Sequence, residues 1–189
     1  MNHKGTKRIE TERLILRKYT IDDTSDMFKN WGCDEKVTKF LTWENHKGIE
    51  DTRKILNMWI NEYENIDKYQ WAIELKNIKE VVGDITVFNL KNKRFSCEIG
   101  YCLSSKFWNS GIMTEALIGV IGYLFDEIGL NRIEARHNVD NIASGKVMIK
   151  SNMKYEGTLR EAGKMKGENQ FYDLAVYSIL KSEWKSLKL

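Results

Sequence analysis

The sequence lacks proline altogether, and it contains only three cysteines and three histidines. Without proline, one common marker of domain boundaries is missing, and no internal repeat or low-complexity linker divides the chain. Cys33, Cys97 and Cys102 form no C-x-x-C pair and the histidines are scattered, so no metal site is expected. We therefore predict a single domain over residues 1–189, in which Cys97 and Cys102 face opposite sides of one strand.

Long apolar runs and blocks of like charge are also missing. No apolar run approaches the roughly 18 residues that a membrane-spanning helix needs, and the polar N-terminus does not resemble a secretory signal. The chain has 30 Lys and Arg against 27 Asp and Glu, mixed along its whole length. We therefore expect a cytoplasmic protein with neither a membrane nor a nucleic acid as its partner.

The apolar residues that are present divide the chain into elements in the order β α α β β β α β α β β. The strands are predicted at residues 13–19, 69–76, 81–90, 94–103, 131–137, 154–163 and 170–180, and the helices at 22–31, 48–64, 112–128 and 141–151. The three central strands form an antiparallel meander, and the next strand–helix–strand unit requires a parallel crossover. The predicted fold is α/β, with a mixed sheet of about seven strands and about four helices.

Two of the predicted helices carry specific expectations. The apolar stripe of the helix at 48–64 consists of residues at three- and four-residue steps, namely Ile55, Met58, Trp59 and Tyr63. The helix at 112–128 contains Gly119 and Gly122, each of which weakens a helix by up to about 1 kcal/mol relative to alanine. We expect close packing against a neighbouring element to compensate for these two glycines.

The run SSKFWNSGIMTEALIGVIGYLF passes from a polar loop directly into the longest helix. A helix start leaves about four backbone amides unpaired and carries roughly half a positive charge, so it can bind a phosphate group. Asn109, Ser110 and Gly111 are small enough to allow this approach, and Lys106 adds a cation. Two interpretations remain open at this point: a diphosphate site, or a plain helix start, since one glycine is weak evidence.

Five motifs, ETERLILR, EIGYCL, KFWNSGIMTEA, NRIEARHNVDNIAS and MKYEGTLRE, occur in that order along the chain. In this order and spacing the sequence resembles the GCN5-related N-acetyltransferases (GNAT), most of all the branch that acetylates the N-termini of ribosomal proteins. The resemblance runs from Glu10 to about Trp184. It implies a GNAT-type domain with a mostly antiparallel sheet, and direct transfer of the acetyl group of acetyl-CoA to a primary amine.

In that family the loop reads Arg or Gln, two residues, Gly, one residue, then Gly or Ala. Lys106, Asn109 and Gly111 occupy the three marked places. Lys106 keeps a long polar side chain without the fork of arginine, and Asn109 replaces a glycine. Asparagine tolerates left-handed backbone angles better than other non-glycine residues, so we expect the loop to keep its shape.

The resemblance also implies which residues bind acetyl-CoA. The backbone amides expected to bind the diphosphate are those of Asn109, Ser110, Gly111, Ile112, Met113 and Thr114. The backbone of Ile99, Tyr101 and Leu103 is expected to pair with the pantetheine arm, as an exposed edge strand can. Asn141 and Ser144 fall near the pantetheine and the thioester sulfur. Lys146, like Lys150, either reaches the phosphates of the nucleotide or belongs to a solvated helix face.

Acetyl transfer needs a neutral amine, a stabilised thioester oxygen and a leaving thiolate. Family members often use a tyrosine on the last helix as proton donor, but Met148 occupies that place, which leaves Ser144 as the candidate. The alternative for Ser144 is a plain first-turn residue. Glu98 is the candidate general base, on the same strand face as Gly100. Its alternatives are a carboxylate in a salt bridge, or Glu161 as the base.

The acceptor amine is not decided by the sequence. A ribosomal-protein or other protein N-terminus is one class, and a small amine such as an aminoglycoside or polyamine is another. A polycation would need an acidic cleft, for which residues 21–26, Asp34, Glu35 and Glu44 are candidates, although an exposed acidic helix start explains them equally.

Other interpretations concern the protein as a whole. Trp31 and Trp43 lie in the third of the chain where the family builds its acceptor pocket, and core packing is the alternative for both. A non-catalytic sensor that binds CoA is a different class of function, since Met148 replaces the family's tyrosine. The sequence does not decide between a monomer and a homodimer.

Overall fold

A computed structural model describes residues 1–167 and 169–187. Within these ranges the chain forms eight strands and six α-helices. The strands are β1 (Ile9–Glu10), β2 (Leu14–Arg17), β3 (Gln70–Leu75), β4 (Glu80–Lys91), β5 (Ser96–Leu103), β6 (Arg132–Asn138), β7 (Lys154–Lys164) and β8 (Phe171–Leu180). The helices are α1 (Thr24–Met27), α2 (Glu35–Thr38), α3 (Ile49–Glu62), α4 (Ile112–Tyr123), α5 (Ile142–Lys150) and α6 (Lys181–Ser186).

All eight strands belong to one sheet in the order β1-β2-β3-β4-β5-β6-β8-β7. Only β5 and β6 are parallel, and α4 makes the crossover between them. The mixed, mostly antiparallel α/β fold is therefore confirmed. The elements beyond the predicted seven strands and four helices are short: β1 has two residues, α2 has four and α6 has six.

Each face of the sheet has its own apolar cluster. The larger cluster joins α4 and α5 to one face, and the smaller one joins α1 and α3 to the other. Cys97 lies in the larger cluster and Cys102 contacts the smaller one, as their spacing predicts. No helix among the described residues is long and apolar enough to cross a membrane.

The glycines of α4 lie where a neighbour comes close. A Cβ atom at Gly119 would lie 3.3 Å from Thr11 in the segment between β1 and β2. A Cβ atom at Gly122 would lie 3.0 Å from the Trp184 ring of α6. Close packing therefore compensates for the low helix propensity of both residues, as we expected.

The apolar stripe of α3 differs from the predicted one. Met58 is 49% exposed, whereas Thr52 and Leu56 are fully buried. Trp59 is partly buried against the smaller cluster. The side of α3 that faces the sheet is therefore centred nearer to Thr52 than predicted. Thr52 is tolerated inside the protein because its hydroxyl is hydrogen-bonded to the His46 ring at 2.7 Å.

Candidate active site

The two parallel strands at the centre of the sheet diverge partway along their length. Their pairing covers Ser96–Ile99 against Arg132–Ala135. Beyond it, β5 continues to Leu103 against β4 alone, and β6 continues to Asn138 against β8 alone. The opening between these two strand ends, called the cleft below, exposes backbone edges at the centre of an otherwise continuous sheet.

The backbone of β5 directs hydrogen-bonding groups into this cleft. The amide of Ser104 donates to β4 at 2.8 Å. Because the backbone groups of successive residues point to opposite edges of a strand, those of Tyr101 and Leu103 point toward the cleft. The Leu103 carbonyl already accepts from the indole of Trp108 at 2.9 Å. Ile99 is the last residue of β5 to pair with β6, so Tyr101 offers the free backbone edge.

At the mouth of the cleft, the loop that leads into α4 makes two left-handed turns of the backbone. Asn109 has φ 60° and Gly111 has φ 79°. Asparagine and glycine are the residues that reach these angles most readily, which explains how Asn109 and Gly111 allow the loop to turn twice before α4. Gly111 is then the residue from which α4 begins.

Six successive amides at this helix start have no partner among the residues that the structure describes. The amides of residues 109–114 donate to no acceptor in the described part of the chain, and Glu115 is the first to donate, to the Gly111 carbonyl at 3.0 Å. Ile112 and Met113 have buried side chains, so they offer only their backbone. A concave run of free amides at the positive end of a helix dipole can bind an anion.

Arg13, which the sequence analysis does not single out, is hydrogen-bonded to the loop that precedes α4. Its guanidinium donates to the Ser110 carbonyl at 2.9 Å and to Glu115 at 2.6 Å. The Ser110 hydroxyl donates to the Phe107 carbonyl, so a second hydrogen bond, within the loop, holds its conformation. Arg13 lies in the ETERLILR motif, but its contact with a residue 97 positions away carries no local signal.

Three lysines were candidates for the phosphates. Lys106 is exposed in the short 3-10 helix Ser105–Phe107 at the start of the loop. Lys150 lines a groove of about 440 Å³ that runs along α4 from Gly111 to Gly119. Lys146 is exposed on α5 and is not among the residues that line this groove, which favours its interpretation as part of a solvated helix face.

The start of α5 forms the opposite wall of the cleft. The side chain of Asn141 accepts from the amide of Ser144 at 3.3 Å, so Asn141 is the N-cap of the helix. The Tyr101 hydroxyl lies 3.0 Å from both the hydroxyl and the carbonyl of Ser144. Met148 is buried in the larger cluster. The structure therefore joins Ser144 to Tyr101 across the cleft, through a side chain for which sequence reasoning considered only the backbone.

Glu98 lies just below the point where the strands diverge, and it is 8% exposed. Its carboxylate accepts from the Asn89 amide at 3.1 Å and lies 3.6 Å from the Arg136 guanidinium. Asn89 has φ 50° at an irregularity of β4, which turns its side chain toward Glu98. Glu98 therefore forms a salt bridge and also lies beside the cleft. Both interpretations of this residue still stand, so its role as base stays a prediction.

Glu161, the alternative base, lies elsewhere. It is exposed on β7, the far edge strand, and both β8 and β6 separate it from β5. Its amide donates to Asp173 at 2.8 Å, and its φ of 49° belongs to an irregularity in β7. The structure does not bring Glu161 to Glu98, so Glu98 is the one of these two candidate bases that lies beside the cleft.

The candidates for an acidic acceptor cleft are mostly occupied within the protein. Asp23 is buried and paired with Arg17, and Asp26 accepts from a β4 amide at 2.9 Å. Asp34 caps α2 and accepts from Ser105. These three carboxylates serve local structure, so they do not line an acidic cleft; the remaining acidic candidates are exposed.

The two tryptophans near the predicted acceptor pocket differ in their surroundings. Trp31 is fully buried in the smaller cluster, so it cannot line a pocket. Trp43 is only partly buried, its ring lies 5.3 Å from that of His46, and its carbonyl accepts from Lys166 at 3.0 Å. Lys166 thus ties the turn between β7 and β8 to the segment between α2 and α3. Glu168 lies outside the described residues.

Comparison with known proteins relates this architecture to one family. The family model described as "Acetyltransferase (GNAT) domain" matches residues 13–154. The uncharacterised N-acetyltransferase YoaA of Bacillus subtilis (strain 168) is 35% identical over 173 residues, which cover 92% of this chain and 96% of YoaA. YdaF of the same organism, provisionally named a ribosomal N-acetyltransferase, is 28% identical over 156 residues, 82% of this chain and 83% of YdaF.

A solved structure agrees with the sequence relatives. The crystal structure of a GNAT-family acetyltransferase from Bacillus anthracis has a TM-score of 0.80 and 28% sequence identity. The matched region covers 94% of this chain and 100% of that one.

Proposed function

The chain belongs to the GNAT acetyltransferase family, and from that premise we propose that its acceptor is the N-terminal α-amine of a protein, such as a ribosomal protein. Members of this family are acetyl-CoA-dependent N-acetyltransferases, so the chain is an enzyme of that class. The six unpartnered amides of residues 109–114, at the mouth of the cleft, are the observation that supports this use of acetyl-CoA most directly.

Acetyl-CoA supplies an activated acetyl thioester, a diphosphate and an arm that contains amides. The amides of residues 109–114 fit the diphosphate, because they are free donors at a helix N-terminus. The free backbone edge at Tyr101 fits the amide-bearing arm. Lys106, which precedes the loop, and Lys150, which lines the groove along α4, add positive charge near the start of α4.

Glu98 and Ser144 lie on opposite sides of the cleft, as a base and a hydrogen-bond donor should. Glu98 accepts the proton of the amine, through a water molecule, while Arg136 and Asn89 keep the carboxylate in position. Ser144 donates to the sulfur as the carbon–sulfur bond breaks. We expect Glu98→Gln and Ser144→Ala to lower kcat at least about tenfold, with little change in acetyl-CoA affinity.

Two considerations favour an α-amine over a polyamine or an aminoglycoside. Three of the candidate acidic side chains, Asp23, Asp26 and Asp34, are bonded internally, which leaves fewer carboxylates for a polycation. An α-amine has a pKa of about 8 and a lysine-type amine about 10.4, so a much larger fraction of the α-amine is neutral at pH 7. The provisional name of YdaF, a ribosomal N-acetyltransferase, is in addition compatible with a ribosomal protein as the acceptor.

The test is to follow free thiol release with three acceptors at equal concentration. One is a lysine-free peptide with a free N-terminus, the second is its N-acetylated form with one added lysine, and the third is spermidine. We expect only the first to be acetylated efficiently, and mass spectrometry identifies the modified atom. Faster turnover of spermidine would contradict the proposal.

The same experiment addresses the non-catalytic alternative. A buried Met148 where the family often has a tyrosine is the observation that favours a CoA sensor. A sensor would bind CoA measurably and release no thiol with any of the three acceptors.

A further inference from the structure

A pair of hydroxyl groups connects β5 to the start of α5 at one side of the cleft. The Tyr101 side chain leaves β5 beyond the last residue that pairs with β6, and it ends 3.0 Å from the Ser144 hydroxyl and 3.0 Å from the Ser144 carbonyl. The two residues are 43 positions apart in sequence. This contact links the strand edge expected to hold the pantetheine arm to the helix that carries the candidate donor.

Counting protons shows that the two hydroxyls can bond each other in two arrangements. A carbonyl only accepts, and each hydroxyl has one proton. In the first arrangement Tyr101 donates to the Ser144 carbonyl, Ser144 donates to Tyr101, and the serine proton is occupied. In the second, Tyr101 donates to the Ser144 hydroxyl oxygen, and the serine proton is free to point into the cleft.

The neighbouring groups allow the two hydroxyls to adopt the second arrangement. The Ser144 carbonyl lies within α5, where the helix pattern supplies the amide of residue 148 as another donor, so losing Tyr101 does not leave it unpaired. Burial raises the pKa of Tyr101 well above its usual value, so its hydroxyl keeps its proton. The Asn141 cap fixes the backbone of Ser144.

We propose that Tyr101 is a positioning residue that donates to the Ser144 hydroxyl, so that the Ser144 proton points into the cleft toward the sulfur of coenzyme A. This inference rests on the proposed role of Ser144. In the transfer step a nitrogen–carbon bond forms, the carbon–sulfur bond breaks and its electron pair stays on sulfur. The proton lost by the amine passes through Glu98 to solvent, and neither hydroxyl loses its proton.

The consequence is a measurable preference for the thiolate of bound CoA. A thiol has a pKa of about 8.5, and a donor aimed at sulfur stabilises its anion. The test compares the affinities of CoA and desulfo-CoA, which lacks the sulfur, by calorimetry at about pH 6.5 and about pH 9.5. Because both ligands share all other groups, their affinity ratio reports on the sulfur alone.

In the unchanged protein we expect this ratio to rise roughly tenfold between the two pH values, as a hydrogen bond to a charged group implies. Tyr101→Phe and Ser144→Ala should each remove most of the rise, and the double variant should lose no more than either alone. Tyr177→Phe is the matched control, since this neighbouring hydroxyl has no hydrogen-bond partner among the described residues. It should keep the full rise.

The opposing results are distinct. A Tyr101→Phe protein that keeps the tenfold rise, while Ser144→Ala loses it, overturns the role of Tyr101. Equal weakening of both ligands by Tyr101→Phe at both pH values means a structural role only, and also overturns it. No rise in the unchanged protein refutes the direction of the Ser144 proton. A wrong acceptor assignment is separate, because it would change thiol release with the peptides and leave these ratios unaffected.

Discussion

The two helices that begin beside the cleft differ in how they treat their first amides. α4 begins after Gly111, with no side-chain cap and six amides without an acceptor in the described part of the chain. α5 begins after Asn141, whose side chain and carbonyl both accept from the amide of Ser144. The amides of Ile142 and Ala143 have no acceptor among the described residues, so the two helix starts differ in the number of free amides, which is six at α4 and two at α5.

The difference assigns separate tasks to the two helix starts. Gly111 takes the place of an N-cap side chain at α4 at a cost of roughly a few tenths of a kcal/mol, so the uncapped start is tolerated and its amides stay open to a ligand. The free donors at α4 can be matched by the oxygens of a diphosphate, whereas the first turn of α5 has the Ser144 amide bonded to its cap and presents the Ser144 hydroxyl group. We therefore propose that the start of α4 binds the anion and that the start of α5 serves the chemistry at the thioester.

The largest expected effect comes from changing the backbone at the start of α4. A β-branched residue is strongly disfavoured at φ 79°, so Gly111→Val should force the loop out of its concave shape. Losing even two hydrogen bonds to a charged ligand amounts to roughly a hundredfold in affinity for acetyl-CoA. Isothermal titration calorimetry measures this loss.

The matched control for this change is Gly129→Val. Gly129 has φ 83° and open space around its missing Cβ atom, so the backbone strain is similar but lies after α4. We expect a lower Tm and unchanged acetyl-CoA affinity. If both variants lost affinity equally, general destabilisation would explain the result, and the α4 start would not be the anion site.

Much of this contrast could be predicted from the sequence, because it depends on local backbone preferences. Asn109 and Gly111 are residues suited to left-handed turns, and Asn141 is a strong N-cap residue ahead of an apolar run. The order of strands and helices and the parallel crossover follow in the same way from periodicity and chain direction.

The remainder depends on contacts between distant parts of the chain. Arg13 reaches Ser110, and Tyr101 reaches Ser144, only because the sheet register brings β2 and β5 to the two helix starts. Nothing near Arg13 in sequence indicates that partner. The prediction that Met58 belongs to the apolar stripe is wrong for a related reason. A periodic pattern predicts how wide an apolar stripe is better than it predicts where the stripe is centred.

The second effect tests the support behind the α4 start. Arg13→Gln removes the donor to the Ser110 carbonyl and leaves the Glu115 carboxylate without its ion pair next to the anion site. We expect roughly tenfold weaker binding of acetyl-CoA, as loss of one charged hydrogen bond and a nearby cation implies. Adding Glu115→Gln to this variant should restore part of the affinity. No restoration would show that loop geometry, rather than charge, carries the effect.

The third effect addresses the α5 start, where stability should change and binding should not. Asn141→Ala removes the cap and should lower the free energy of unfolding by about 1 kcal/mol. Asn141→Asp keeps a good cap and should stay near the original stability. Urea denaturation gives the stability, and calorimetry gives the acetyl-CoA affinity. A large loss of affinity in Asn141→Ala would mean that Asn141 contacts the pantetheine directly, and the separation of tasks would fail.

The smallest effect concerns the exposed cation before α4. Lys106 is solvated and makes no ion pair with the described residues, so its attraction for a diphosphate is screened by salt. We expect Lys106→Ala to weaken acetyl-CoA binding about threefold at low ionic strength, and less at about 0.5 M salt. Lys106→Arg, which restores the family's fork, should bind at least as tightly as the original, because a guanidinium can hold two phosphate oxygens at once. A salt-independent loss in Lys106→Ala would instead assign this lysine to the loop's structure, and the free amides would then carry the whole attraction for the anion.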